Sequence, residues 1–529
     1  MSLKAFLHQL QYEPDRAKPK DVEVDWENAP LPYKLYRHLP AIPLAADVPL
    51  KLTGRQRTGK PTLRDISYFL WYTFGLAQLS QSVMEQYTGA EWEHALQLCR
   101  RFVPSGGGLY PSEIYMYLKL EEVPYGVYHY DAAHHRLILL REGQYDAYVS
   151  KALGDRCDVT GSFAAVFIST LFWKNFYKYN NFSYRLQGLD AGLLIGQLLE
   201  VAKRFDFETG VYFQFLDRAI NHLLGLPETE ESAYAVIPLS VEPSMIWFRD
   251  GGDSIRMSSA ELCRELPIVK HDHYMRSKRI LDYPMLTKLN EASIMDDTLS
   301  FQSIGREQEA AVHRADDHIL PQVNRLTYEL GEVCRKRYSP ENEFILGTVS
   351  ESDLAALLQE SMRSYRYRND LDGSAHRPMS RVRLFGCFYG VKGIRDGAYY
   401  YDDITHVLQP IRAGDQRRSL QHGMSLDNVN LFQVPLCFHL AGDSGHLHAE
   451  LGYRGYRIQQ MEAGMLVQRL LLAAGASGAS GMEGRPLLGF DVHSMNELYG
   501  LTPLAQTSLI QIPIGPCRSR SRLEGGLSQ

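Results

Sequence analysis

Two stretches decide how this chain is read: "YRLQGLDAGLLIGQLLEVA", Tyr184 to Ala202, and "YRIQQMEAGMLVQRLLLAA", Tyr456 to Ala474. They share the frame Y-R-x-Q-x-x-x-A-G-x-L at an offset of 272 residues. A second pair, "GVYHYDAAHHRL" from Gly126 and "GAYYYDDITHVL" from Gly397, shares G-x-Y-x-Y-D-x-x-x-H-x-L at an offset of 271. The later segments "AYAVIPLS" and "SLIQIPIG" agree in pattern too. Two motifs in one order at nearly one offset mark a tandem duplication. Copy one is read as residues 1–250 with an N-terminal arm, and copy two as residues 260–529. A chain of 529 residues is longer than one hydrophobic core usually serves, which fits two domains.

Each copy mixes strand and helix signals. "EIYMYLKL" alternates, with Ile114, Met116, Leu118 and Leu120 on one face of a strand. The Y-x-Y-D segment is a second strand running into a turn. The A-G-x-L segment carries apolar residues at helical spacing, Leu189, Leu193, Leu194, Leu198 and Val201, and predicts a core helix. The mixed-charge stretch Ser293 to Leu330 is assigned to the second copy's N-terminal helices. Without regular βαβ alternation the class is α+β, and fused copies pack most simply as a pseudo-twofold dimer within one chain.

Composition narrows the function. With 45% hydrophobic and 22% charged residues and a net charge of −6, nothing pulls the chain toward nucleic acid or an anionic membrane. Seven cysteines stand singly, without C-x-x-C pairs, which argues against a zinc site or a disulfide framework. The N-terminus lacks a signal-peptide core and no apolar run reaches a membrane-spanning length, so the expectation is a reduced, cytoplasmic protein with no metal.

"RFVPSGGGLYPSEIYMYLKL", Arg101 to Leu120, carries three adjacent glycines, which lose more entropy on folding than other residues. No Gly-Lys-Ser/Thr follows, so it is not a P-loop, and it opens into a strand, so it is no dinucleotide fingerprint. Copy two, "DGSAHRPMSRVRLFGCF", lacks the run. A loop needed only as a turn would be needed in both copies. The asymmetry points to a ligand.

"VPSGGGLYPSEIYMYLK…GVYHYDAAHHRL", then "KYNNFSYRLQGLDAG", resembles the SagB-type dehydrogenases of the flavin-dependent nitroreductase superfamily, and "DWENAPLPYKLYRHLPAIPL" resembles the arm that precedes their domain. The resemblance covers residues 20–240 well and 300–520 more weakly. It implies two nitroreductase-like domains, each an antiparallel sheet flanked by helices, with FMN held at their interface. It further implies oxidation of thiazoline or oxazoline rings to azoles in a peptide or peptide-like molecule, with oxygen reoxidising the flavin and a cyclodehydratase complex as partner. Further dimerisation stays open.

In the superfamily each FMN takes an R-x-S-x-R/K segment from one subunit and the P-S-rich loop from the other. Copy two offers Arg337 and Ser339, with Glu341 in place of the third, basic position. Copy one offers Pro104, Ser105, Gly106 and Gly107. The tail contributes Arg518 and Arg520, where relatives place late basic residues. The family's Lys-Tyr pair falls on Lys178 and Tyr179, whereas copy two has Glu450 and Leu451 there. A lysine can act as a base where burial favours its neutral form, and a tyrosine can relay a proton. Lys174 and Tyr177 in the same segment are alternatives. His135 with His406, Arg185 with Arg457, and Gln187 with Gln459 recur in both copies and are read as scaffold. Two other functions remain open: an NAD(P)H-fed reductase of nitroaromatics or quinones, and a catalytically silent flavin- or peptide-binding subunit.

Overall fold

The computed structural model describes residues 1–17, 23–52, 59–84, 94–243, 245, 247–249, 256–304, 314–363, 367–372, 380–477, 481–518 and 525–526. The alternating segments form two seven-stranded antiparallel sheets of identical order. In the first, the strands run from Ala41–Pro43 through Arg136–Glu142, Gly126–Asp131, Ser112–Leu118, Ala164–Leu171 and Glu231–Ser240 to Glu208–Thr209. In the second, His318–Ile319 leads through Val407–Ala413, Gly397–Asp402, Arg383–Phe388, Leu436–Asp443 and Gln506–Gly515 to Glu483–Gly484. The copies share even their bulges, at Val127/Tyr128 and Ala398/Tyr399, and at Ile168/Ser169 and Leu440/Ala441. The class is α+β, as the mixed patterns required.

The alternation in Ser112–Leu118 separates two apolar faces. Every residue of the strand is buried. Ile114, Met116 and Leu118 join a central core that draws on both copies, while Tyr115 and Tyr117 join a smaller cluster on the outer face of the first sheet. A sheet covered on both sides needs no polar face.

Between the sheets lie the two repeated helices, Ser183–Arg204 and Arg454–Ala476. Their shared glycine explains the A-G motif. A Cβ on Gly192 would stand 2.0 Å from Met461 O, and one on Gly464 would stand 2.2 Å from Leu189 O. The helices touch backbone to backbone at these points, so only glycine fits. Beside the crossing, Gly188 meets Gln460 and Gly196 meets Gln468, which are equivalent positions in the two copies. Small residues on one helix thus take the larger side chains of the other. Tyr184 and Tyr456 stack with ring centroids 6.2 Å apart.

Repeated polar residues bind across the halves or within turns. Arg185 donates to Leu10 O, Gln11 O and Leu509 O, and Arg457 donates to Asp217 Oδ1 and Asn290 Oδ1. His135 and His406 both adopt positive φ, 47° and 61°, and each ring Nδ1 pairs with a tyrosine hydroxyl, that of Tyr130 at 2.9 Å and of Tyr401 at 2.8 Å. Gln187 and Gln459 both donate to a backbone carbonyl at a strand end, Phe172 O and Asp443 O.

One expectation fails. The described residues between Ser293 and Glu329 hold no α-helix, only a 3₁₀ turn at Thr298–Ser300 and the edge strand His318–Ile319. Their backbone is satisfied by partners instead: Met295 N donates to Asp217 Oδ2, Gln302 N to Gln214 Oε1, and Leu320 N to His406 O. The sequence lacks an apolar helical period here; Met295 and Gln302 bond to the first copy, and His318–Ile319 joins the second sheet. Helices flank it at Pro284–Glu291 and Leu330–Lys336. The halves interlock further where Gln11 Nε2 donates to Ser508 O and Gly525–Gly526 pairs with Leu79 and Gln78. Among the described residues no helix is long and apolar enough to cross a membrane.

Candidate functional site

The glycine run forms a tight turn, Gly106–Gly108, ahead of the strand Ser112–Leu118. Gly107 and Gly108 have φ of 65° and 69°, a region that glycine enters without steric cost. Two of the loop's amides are spent internally, Gly106 N on Asp190 Oδ1 at 3.0 Å and Gly108 N on Ser105 O at 3.0 Å. Ser105 Oγ donates to Asp190 Oδ2 at 2.6 Å and accepts from Tyr110 N at 2.9 Å. The Gly107 amide makes no bond to the described residues. Pro104, buried, leads into the turn.

Lys178 and Tyr179 end the short helix Trp173–Tyr179 and lie directly against this loop. A Cβ on Gly107 would sit 2.5 Å from Tyr179 Oη and 3.2 Å from Lys178 Nζ. The loop is therefore bare on that side because the Lys-Tyr pair occupies the space. Around Gly108 a Cβ would meet nothing within 4 Å. Burial pushes the Tyr179 phenol up to about 12, with the Asp190 charge adding to the rise, so Tyr179 stays protonated at neutral pH. Lys178 Nζ lies 5.2 Å from the Trp26 ring centre and 5.4 Å from that of Tyr179. Trp26 comes from the N-terminal arm and also meets Tyr177 edge to face. Lys174, the alternative, is committed elsewhere: its Nζ bonds to the Glu113 carboxylate and to Tyr110 O.

Copy two reaches this place with its own cations. Arg337 ends the helix Leu330–Lys336, is 5% exposed, and its Nε has no hydrogen-bond partner among the described residues. Its charge acts on Tyr110, which closes the glycine loop. Arg485 acts on Tyr179, and donates to Ser339 O at 3.2 Å, Pro340 O at 3.3 Å and Glu341 Oε1 at 3.2 Å. Glu341 breaks the basic pattern in sequence, yet in space it brings a guanidinium alongside. Arg518 joins the same segment through its backbone, its N donating to Glu343 O and its carbonyl accepting from Tyr338 Oη. Arg520 lies outside the described residues. Glu483, beside Arg337, accepts from Tyr338 N, and burial raises its carboxyl to about 7. A carboxyl that is half protonated at neutral pH repels a phosphate less than an ionised one.

Asp190, Glu483 and Arg485 escaped the sequence reading. Asp190 falls inside the repeated helix, where its match is Glu462, and the repeat hid it as scaffold. Arg485 stands where the sheet register puts Gly210 in copy one, the kind of difference between halves that exposed the glycine loop.

The matching region of copy two is filled by protein. Glu462 receives a bidentate Arg381 and the Tyr367 hydroxyl, and Arg381 also pairs with Asp372. The segment around Asn369 runs along Val211, with Asp370 accepting from Phe213 N and Gln214 N. A cavity of about 320 Å³ lies near Glu450 and Leu451, lined also by Asp296, Asp297 and Arg454. Arg454 there is bound to Asp217, Phe213 O and Ser293 O. An acidic rim around a committed arginine suits a flavin phosphate poorly.

The donor set assembled from the glycine loop of copy one and the arginines of copy two fits FMN. It offers a buried guanidinium with an unpartnered Nε, further arginines for a phosphate, a free loop amide and a side-chain-free surface at Gly108.

Comparison with known proteins gives the same fold. No curated protein sequence matches the chain. A solved protein from Anabaena variabilis that bears the name nitroreductase is 21% identical, covers 98% of this chain and 99% of its own, and superposes with a TM-score of 0.72. Two others align with about a third of the chain and superpose weakly. One is the Escherichia coli microcin synthetase McbBCD complex with truncated pro-MccB17 bound (20% identity, 35% of this chain and 69% of that one, TM-score 0.28). The other is a nitroreductase-like protein from Exiguobacterium sibiricum in complex with FMN (13% identity, 38% and 96%, TM-score 0.24). The Nitroreductase family model matches residues 63–239, which contain the glycine loop, the Lys-Tyr pair and Asp190. That match lies within copy one, and the whole length of the chain has the nitroreductase-like fold.

Proposed function

We propose that the chain is an FMN-dependent dehydrogenase of the SagB type, which oxidises azoline rings to azoles in a peptide or peptide-like molecule. The observation that supports this most is the contact of Gly107 with Lys178 and Tyr179 in copy one, with the charges of Arg337 and Arg485 from copy two acting on Tyr110 and Tyr179. Bound FMN supplies a two-electron acceptor, renewed by molecular oxygen. Pro104, Ser105, Gly106 and Gly107 would hold its ring system, and Arg337, Ser339, Arg518 and Arg520 would hold its phosphate. Arg485 joins them. Lys178 Nζ takes the proton from one azoline carbon as the hydride of the adjacent carbon leaves for the acceptor, and Tyr179, protonated at working pH, donates a hydrogen bond to the ring heteroatom. Trp26 lies over Lys178. Because an azoline forms by dehydration of a Cys, Ser or Thr side chain onto the preceding amide, the partner is a cyclodehydratase acting first.

The test is Lys178→Ala against a peptide thiazoline. The reading expects flavin content to persist while azole formation falls by about 10² to 10⁴-fold, the usual worth of a positioned base. Wild-type turnover in that variant would remove Lys178 from the mechanism. A second reading, an NAD(P)H-fed nitro or quinone reductase, is favoured by the placement of Lys178 over the Trp26 ring, which suits a cation. It expects rapid NADPH-dependent reduction of a nitroaromatic, unchanged in Lys178→Ala.

A further inference from the structure

Asp190 and Glu462 are equivalent residues of the repeated helices with opposite surroundings. Glu462 is neutralised by Arg381. Asp190 faces a serine hydroxyl at 2.6 Å and a backbone amide at 3.0 Å, both from the glycine loop, and is 6% exposed. No cation within ion-pair distance of it is found among the described residues. The charged and titratable groups about it are Tyr179 and Lys178 from the neighbouring helix and, through Tyr179, Arg485 from copy two. Burial without a counter-ion is unfavourable for a carboxylate, and the side chain is kept although it adds nothing to the apolar core.

We propose that Asp190 is a positioning residue for the cofactor: by gripping Ser105 Oγ and Gly106 N its carboxylate fixes the glycine loop in the shape that leaves the Gly107 amide for a flavin and seats Lys178 and Tyr179 against it. The inference rests on the flavin reading above. The grip removes Gly106 N from competition, so a bound flavin would find Gly107 N as the open amide of the turn. Both bonds need an acceptor, and the ionised form supplies two strong ones. Burial raises the carboxyl to about 6, so the grip weakens as pH falls through that value. FMN binding, which favours the gripped loop, pulls the carboxyl down and releases a proton near pH 6.

The experiment is FMN binding to the apoprotein by fluorescence quenching and by calorimetry in two buffers of different ionisation enthalpy, at pH 5 to 8. Wild type, Asp190→Asn and Ser105→Ala are compared. The flavin phosphate and Glu483 titrate in the same window in all three proteins, so the difference between wild type and Asp190→Asn isolates Asp190. Asp190→Asn is expected to bind FMN about tenfold more weakly at pH 8 and to release fewer protons at pH 6. Ser105→Ala is expected to bind several-fold more weakly while keeping the proton release. Asp190→Asn matching wild type in both affinity and proton release overturns the proposal. If Asp190→Asn does not fold, Ser105→Ala with unchanged FMN affinity overturns it. Wild type that takes up no FMN sinks the flavin reading itself, and this inference with it.

Discussion

Gly107 carries two constraints at once. Its φ of 65° is costly for any residue with a Cβ, and that Cβ would lie 2.5 Å from Tyr179 Oη. Gly107→Ala is therefore expected to displace Tyr179 and to lose most bound flavin, measured as the ratio of visible to ultraviolet absorbance. Asp190 bears on stability in the opposite sense. Its carboxyl is ordinarily near 3.8 and rises to about 6 in the fold, chiefly through burial. The folded state thus holds the proton longer than the unfolded chain, and stability is lost as pH climbs from about 4 to about 6 and stays level above. The cost at neutral pH is on the order of 3 kcal/mol. Asp190→Asn apoprotein is expected to melt no lower than wild type at pH 7.5, with any advantage gone by pH 4. A variant that melts well below wild type at both would make Asp190 an ordinary structural acid.

The crossing of Ser183–Arg204 with Arg454–Ala476 sets the geometry of both halves. Gly192→Ala places a methyl 2.0 Å from a carbonyl oxygen of the partner helix, which backbone cannot yield cheaply. We expect a loss of about 3 kcal/mol in chemical denaturation, at the upper end of overpacking costs. These helices, and the strands of the Y-x-Y-D motif, were legible because periodicity and repetition reported the same thing. The described residues between Ser293 and Glu329 were not, since Met295, Gln302 and Leu320 bond to Asp217, Gln214 and His406, partners far away in sequence. The partner of Glu341 was hidden for a similar reason: Arg485 comes from another strand region altogether.

The molecule as a whole is two copies of one sheet order around a shared core, with each copy reaching into the other. Arg185 depends on Leu10 and Leu509, and Arg457 on Asp217. A fragment of residues 1–250 alone would expose the whole central helix, and we expect it to show no cooperative unfolding transition by circular dichroism. What each copy lacks, the glycine run in one and the Arg-x-Ser segment in the other, was readable in the sequence. Asp190 was not, because the same position serves a salt bridge in copy two.

Equilibrium dialysis of the apoprotein against FMN puts the account to its most direct trial. One flavin per chain, lost on Arg337→Ala as well as on Gly107→Ala, is the result expected when unlike parts of the two copies clasp one coenzyme. Two per chain, or one that survives Arg337→Ala undiminished, would contradict it.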